Sequence, residues 1–278
     1  MTNSDTTAGG SRTGRATING VDYGYEVRGE GEPLLLLHGG LLSTASFEAG
    51  MPTFAKGRRV IAVDLLGHGR TTLGDRPLRC EPIADDLREL LRQLGHDQVD
   101  VLGYSFGGGV ALRLAVQHPR AVRRLVLVCT VYADDGWYPE IRAQQKQIGA
   151  AIAPMMQRTP LYDAYKAVAP NRGDFPRLLD AMGDFMRQTY DWSADVSRLN
   201  MPVFLIFGDA DSIRPAHQVK FYELLGGGLR DAGWNRESMP ANRLAVVPDM
   251  THYEAFASAR VAELAMPFLD GQMARRSA

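Results

Sequence analysis

The sequence predicts an α/β fold: a mostly parallel, eight-stranded sheet flanked by helices, with a helical segment inserted between two of the strands. Three observations carry this expectation. Short, bare apolar runs alternate with helical patterns along most of the chain, and runs without in–out alternation suit parallel strands covered on both faces. An alternating stretch centred on Asn19-Gly20 precedes them, a pair that favours a tight hairpin turn. The rhythm breaks once, between Cys129 and Pro202, where the chain turns helical and carries prolines at 139, 154, 160, 170 and 176.

Taken in order, residues 16–27 read as the antiparallel hairpin. Strands follow at 33–37, 59–64, 99–103, 124–129, 202–208 and 243–247. Helices are expected at 83–94, 106–118, 216–225 and 254–269. The polar residues 1–15 read as a loose, disordered tail and not as a signal peptide. The core is then expected over 16–131 and 198–278, with a helical cap over 132–197. That interval is too long for a crossover loop and has apolar faces of its own, mostly serving its own packing. A Gly-rich, charged stretch at 226–242 reads as a surface flap with no assigned role.

A chain of 278 residues that is 45% hydrophobic suits one large α/β core better than two independent units. Lys plus Arg number 31 against 32 Asp plus Glu, and no basic stripe or charged tail points to nucleic acid or an anionic membrane. Cys80 and Cys129, the 2 cysteines, give neither a disulfide framework nor metal-ligand spacing, and Cys129 reads as a buried core thiol. No apolar run approaches the length of a membrane span. The expected setting is cytoplasmic, with no cofactor and no metal; protein partners are left open.

The chemistry emerges when the residues after each strand are read together, because open α/β sheets bind ligands beyond the carboxyl ends of their strands. Gly103-Tyr104-Ser105-Phe106-Gly107 joins an apolar run to an Ala/Leu-rich helix, so Ser105 rides a sharp strand-to-helix turn. The small residues around it have a steric reason to be small. His38-Gly39-Gly40-Leu41 follows an earlier strand, Gly67-His68-Gly69 another, Asp209-Ala210-Asp211 a later one, and Asp249-Met250-Thr251-His252 the last. A serine hydroxyl needs a neighbouring base to become a nucleophile. Of 6 histidines, His252 alone lies at a strand's carboxyl end downstream of both Ser105 and the acidic turn. Candidate acids are Asp211 and Asp209, with Asp134 and Asp135 beyond the preceding strand.

These motifs resemble the α/β-hydrolase superfamily, from about residue 16 to about residue 270: the His-Gly loop, the Asp-x-x-Gly-His-Gly segment ending at Gly69, the elbow at Ser105, the Gly-x-x-Asp turn and the terminal His252. The resemblance points to the serine-nucleophile, esterase- or lactonase-like branch with a helical cap. It implies the α/β-hydrolase fold, Asp211 as the acid that orients His252, and an oxyanion hole of backbone amides from Gly40 (or Leu41, one place along) and Phe106. Relatives with an aspartate nucleophile are disfavoured by Ser105, and the loop Gly39-Gly40-Leu41-Leu42 lacks the proline often seen in carbon–carbon hydrolases.

The function expected is hydrolysis of small-molecule carboxylic esters or lactones through an acyl-enzyme. The resemblance extends to bulky lactones such as macrolides, although no motif specifies them. The same three side chains would also serve a C–C hydrolase, a peracid-forming enzyme or an acyltransferase. A ligand-binding protein of the same fold is the alternative from another class, and it would have no need for all three groups. The cap is rich in Trp, Tyr, Phe and Met, which predicts an apolar, adaptable pocket; Leu41, Met155, Met156 and Trp192 are its candidate lining.

Overall fold

The computed structural model describes residues 10–273 and the backbone of a two-residue strand at Asp5–Thr6. The strands are β1 (Asp5–Thr6), β2 (Arg12–Ile18), β3 (Val21–Arg28), β4 (Glu32–Leu37), β5 (Arg58–Val63), β6 (Val99–Tyr104), β7 (Val122–Val128), β8 (Val203–Ala210) and β9 (Arg243–Thr251). They form one sheet in the order β1-β2-β3-β5-β4-β6-β7-β8-β9. The eight expected strands are therefore present, with β1 added at the edge. From β5 across to β9 every pairing is parallel, whereas β2 and β3 pair antiparallel and β3 joins β5 antiparallel. The hairpin turns at Asn19 and Gly20, whose φ angles of 49° and 82° fit the mirror-image turn that matches strand twist.

The bare apolar runs are explained by burial on both faces. Leu35, Leu37, Val101, Leu125 and Leu205 pack on one side against helices Cys80–Gln93 and Phe106–Gln117. Leu34, Leu36, Leu102, Val126 and Ile206 face the other side, covered by Phe54 and by helix Ala259–Leu269. At the amino ends of the strands, Arg58 and Arg123 converge on the buried Asp100, with N–O distances of 2.7 and 2.9 Å. That ionic clamp ties β5, β6 and β7 together at the end away from Ser105.

Three boundaries differ most from the sequence reading. Arg12–Arg15 belong to β2, paired with Gly24–Val27, so the strand takes up part of the expected tail; residues 1–4 and 7–9 of that tail lie outside the described residues. Strand β9 runs through Pro248 to Thr251, because a register shift opposite Gly208 and Ala210 absorbs the proline. The helix expected from 254 begins at Ala259, after a separate turn at Ala255–Ala257.

Between β7 and β8 the chain passes through helices Pro139–Gln145, Ala153–Met156, Pro160–Val168, Phe175–Met186 and Ser193–Val196. Four of them begin with proline at the first or second position, where the missing N–H costs nothing. The start of this insertion is stitched to the segment after β8: Tyr138 N–H donates to Ser212 C=O at 3.1 Å, and Arg214 N–H donates to Gly136 C=O at 2.9 Å.

Candidate active site

Ser105 occupies the junction between β6 and helix Phe106–Gln117 with φ 52° and ψ −116°, a conformation that costs a non-glycine residue about 1–3 kcal/mol. The surroundings hold it there. Its N–H donates to Val128 C=O on β7 at 2.9 Å, and its C=O accepts from Gly109 N–H at 3.0 Å. The glycines of the motif are demanded by close approach: a Cβ on Gly107 would collide with the carbonyl oxygens of Leu37 and His38, and one on Gly103 with that of Gly107.

His252 follows β9 and Asp211 follows β8, so the two loops meet beside Ser105. His252 Nε2 lies 3.1 Å from Ser105 Oγ, and Nδ1 lies 2.9 Å from Asp211 Oδ1. A carboxylate only accepts, which places the imidazole proton on Nδ1 and leaves Nε2 free to accept from the serine. Both groups are nearly out of solvent, His252 at 7% and Asp211 at 6% exposure. Asp211 Oδ1 also accepts from Ile213 N–H at 3.1 Å, which fixes the carboxylate. Trp137 meets the imidazole edge-on at 5.2 Å between ring centres.

The other candidate acids are engaged elsewhere. Asp209 accepts from Met250 N–H on β9 at 3.3 Å, a bond across to the neighbouring strand. Asp134 is paired with Arg142, and Asp135 lies 3.8 Å from Arg214 and 4.0 Å from His217.

Gly40 and Leu41 fill the centre of a turn closed by Leu42 N–H on Gly39 C=O at 3.3 Å. Leu41 takes φ 61°, a conformation usually left to glycine, so this loop stores strain as the serine does. A Cβ on Gly40 would lie 3.8 Å from Phe106 Cβ, which sets the two expected oxyanion segments side by side. His38 locks the loop from beneath: Nδ1–H donates to Gly39 C=O at 2.7 Å, and Nε2 accepts from Leu65 N–H at 3.0 Å. Burial lowers the His38 pKa despite the nearby Asp64 carboxylate, consistent with the neutral ring those two bonds require. His68 and Phe185 bracket Phe106, at 5.8 and 5.0 Å between ring centres.

Above Ser105 and His252 opens a cavity of about 770 Å³, walled largely by apolar side chains such as Leu42, Trp137, Ile141, Leu161, Met182 and Met186. Of the four lining candidates, Leu41 is in this wall and the other three are not. Met155 points outward at 61% exposure. Met156 packs against the core, and Trp192 lies beneath the Arg113 guanidinium at 5.2 Å and against Tyr190 at 4.4 Å. Composition indicated an apolar wall but could not say which side of each short helix faces it.

Two contacts at the site escaped the sequence reading. Tyr104, an unspecified position of the elbow motif, donates its hydroxyl to His252 C=O at 2.6 Å. Cys129 follows β7 with φ 48° and rests against Asp211, where burial and that carboxylate push the thiol pKa well above its ordinary value. Cys129 is the buried thiol that the sequence reading expected; its contact with Asp211 is what that reading did not show. Among the described residues the one cluster of metal-ligating side chains is Cys129, Asp211 and His252, whose ligand atoms lie within 4.8 Å of one another.

The elbow serine, the line of imidazole and carboxylate and the parallel sheet together define a hydrolase of the α/β type. The α/β hydrolase fold family model matches residues 32–230, and the chain belongs to that family of hydrolases. It is 43% identical over 113 residues to 2-hydroxymuconate semialdehyde hydrolase of Pseudomonas sp. (strain CF600), a match covering 39% of this chain and 40% of that relative's length. It is 27% identical over 248 residues to the pimeloyl-[acyl-carrier protein] methyl ester esterase of Nitrosomonas europaea, covering 82% of this chain and 91% of the relative. Among solved structures it is similar to carboxylesterase CesB of Bacillus subtilis, with a TM-score of 0.69 and 19% identity over 94% of this chain and 92% of the other. No helix among the described residues is long and apolar enough to cross a membrane.

Proposed function

We propose that this protein hydrolyses carboxylic esters or lactones through an acyl-enzyme on Ser105. The observation that carries the reading is the unbroken line from Ser105 Oγ to His252 to Asp211, at 3.1 and 2.9 Å, on the floor of a large apolar cavity. In this reading Oγ attacks the carbonyl carbon while Nε2 takes its proton. Asp211 holds the imidazole in the required tautomer and stabilises its cation. The N–H groups of Phe106 and of Gly40 or Leu41 receive the oxyanion, each contributing about 3 kcal/mol to barrier lowering. The imidazolium then protonates the departing alcohol, and water activated by the same imidazole releases the acid. Residues 132–197 act as the cap that excludes bulk water and selects the substrate.

The test is covalent labelling with an alkyl phosphonate followed by peptide mass spectrometry. The adduct is expected on the peptide holding Ser105, and Ser105→Ala should fold normally while losing ester turnover. An unlabelled Ser105, or an active Ser105→Ala, would overturn the reading.

A second reading, hydrolysis of a carbon–carbon bond by the same residues, is favoured by one observation. The 43% identical stretch belongs to a hydrolase named for a semialdehyde, a substrate whose name contains no ester. A panel that sets activated esters against vinylogous diketones separates the two.

A further inference from the structure

Ser105 stands between two spaces of very different size. The cavity of about 770 Å³ has His252, Tyr253 and Phe256 in its wall. A second space of about 30 Å³ also reaches Ser105, bounded by Phe106, Gly109, Val131 and Phe185, and by the Arg142–Asp134 pair. His252 borders only the larger one, while Trp137, Gln145 and Met186 border both and form the partition.

Acyl transfer gives these two spaces different occupants. When Oγ bonds to the carbonyl carbon and the carbon–alkoxy bond breaks, the alkoxy oxygen must receive its proton from His252 Nε2. The alcohol therefore departs on the side where the imidazole stands. The acyl group stays bonded to Oγ, its oxygen toward the Phe106 amide, and its chain takes the side the imidazole leaves free. Water later supplies the hydroxyl to the acyl carbon and a proton to the imidazole, which returns Ser105 to its starting state and frees the acid.

Space then decides the substrate. The space beside Phe106, about 30 Å³ against about 770 Å³ for the cavity, suits the tail of an acetyl or propionyl group better than that of a hexanoyl one. Arg142 and Asp134 neutralise each other in its wall, so it makes no demand for a charged acyl chain.

We propose that the protein is selective for short-chain acyl esters of bulky, largely apolar alcohols, with the alcohol in the large cavity and the acyl chain in the small one. This rests on the ester-hydrolase reading above. It also ranks open-chain esters above macrocyclic lactones, whose acyl arm is tied to the alcohol side.

Octyl acetate and methyl nonanoate are isomers with the same apolar content and reversed orientation, so their ratio of kcat/KM isolates the partition. The wild-type enzyme should prefer octyl acetate by about 100-fold, the scale of a pocket that rejects extra methylenes. Val131→Ala and Phe185→Ala, each widening the small space, should raise 1-naphthyl butyrate relative to 1-naphthyl acetate by about 10-fold. Equal or reversed preference between the isomers, or an unchanged ratio in both variants, overturns the partition. If a phosphonate labels Ser105 and methyl nonanoate is the better substrate, the partition alone is wrong. If Ser105 resists the phosphonate and no ester is cleaved, the underlying reading has failed and the partition with it.

Discussion

Tyr104 and His252 are joined by a 2.6 Å hydrogen bond from the phenol to the main-chain carbonyl, so the residue before the strained serine holds the loop that presents the imidazole. The same ring packs against the imidazole at 5.5 Å between centres. Burial, followed by the nearby Cys129 and Asp211, raises the Tyr104 pKa, which keeps the phenol a donor across the working range.

Tyr104→Phe keeps the ring and deletes this one bond. The expected result is a loss of about 1 kcal/mol of stability and about 10-fold in kcat, with KM little changed, because the loop loses positioning and not substrate contact. Steady-state kinetics on an activated ester, with urea denaturation alongside, measure both. An unchanged kcat would show that Asp211 and Trp137 suffice to place the imidazole.

Asp211→Asn should be the most damaging of the single acid replacements. It preserves shape but reverses the proton preference at Nδ1, a loss of up to ~10⁴ in kcat. Asp209→Asn keeps the oxygen that accepts from Met250 N–H and should cost little activity. Asp134→Asn leaves Arg142 without its partner and should alter stability and the small acyl space more than kcat. A kcat ranking that put Asp209, Asp134 or Asp135 first would reassign the acid.

Asp100 offers a test of stability that leaves the chemistry alone. It is fully buried and receives Arg58 and Arg123, and Arg58 keeps a second partner in Asp270 at 2.8 Å. Asp100→Asn should therefore destabilise by about 3 kcal/mol, the low end for breaking a buried pair, with kcat/KM unchanged in the folded enzyme. Urea unfolding at neutral pH reads the first quantity and ester turnover the second. A loss under about 1 kcal/mol would mean that solvent already reaches the clamp.

The sheet was legible in the sequence because its strands are buried on both faces, so the apolar runs stood out without alternation. Ser105 and His252 were placed by a topological rule and Asp211 by the family resemblance, and the structure brings their atoms within hydrogen-bond distance. The pocket was less legible, for physical reasons. Met155 sits on a four-residue helix too short to show which face is covered, and it faces out. Trp192 is held by Arg113, and no sequence pattern announces a cation stacked on a ring. Trp137 and Met182 do line the cavity, yet they were indistinguishable by composition from their neighbours in the insertion.

The last prediction concerns acid. His217 is buried, its ring is stacked on Tyr132 at 4.0 Å, and its Nε2 accepts from Tyr132 N–H at 3.3 Å, an acceptor role that only the neutral ring can fill. Burial lowers its pKa to about 4, with Asp135 opposing the shift and Arg214 adding to it. The unfolded chain protonates this group near ~6.5, well before the folded chain does. Stability from the neutral ring is therefore complete above that pH and is lost as pH falls toward about 4, by up to roughly 3 kcal/mol over the window. His38 and His68 are also lowered by burial, so their contributions run in the same direction. His217→Gln keeps a neutral acceptor beside Tyr132 and removes the titration. Urea midpoints measured from pH 7.5 to pH 5 should fall steeply in the wild type and less steeply in His217→Gln, the remaining slope belonging to the other two rings. Parallel slopes in the two proteins would show that His217 already titrates with its ordinary affinity in the folded state.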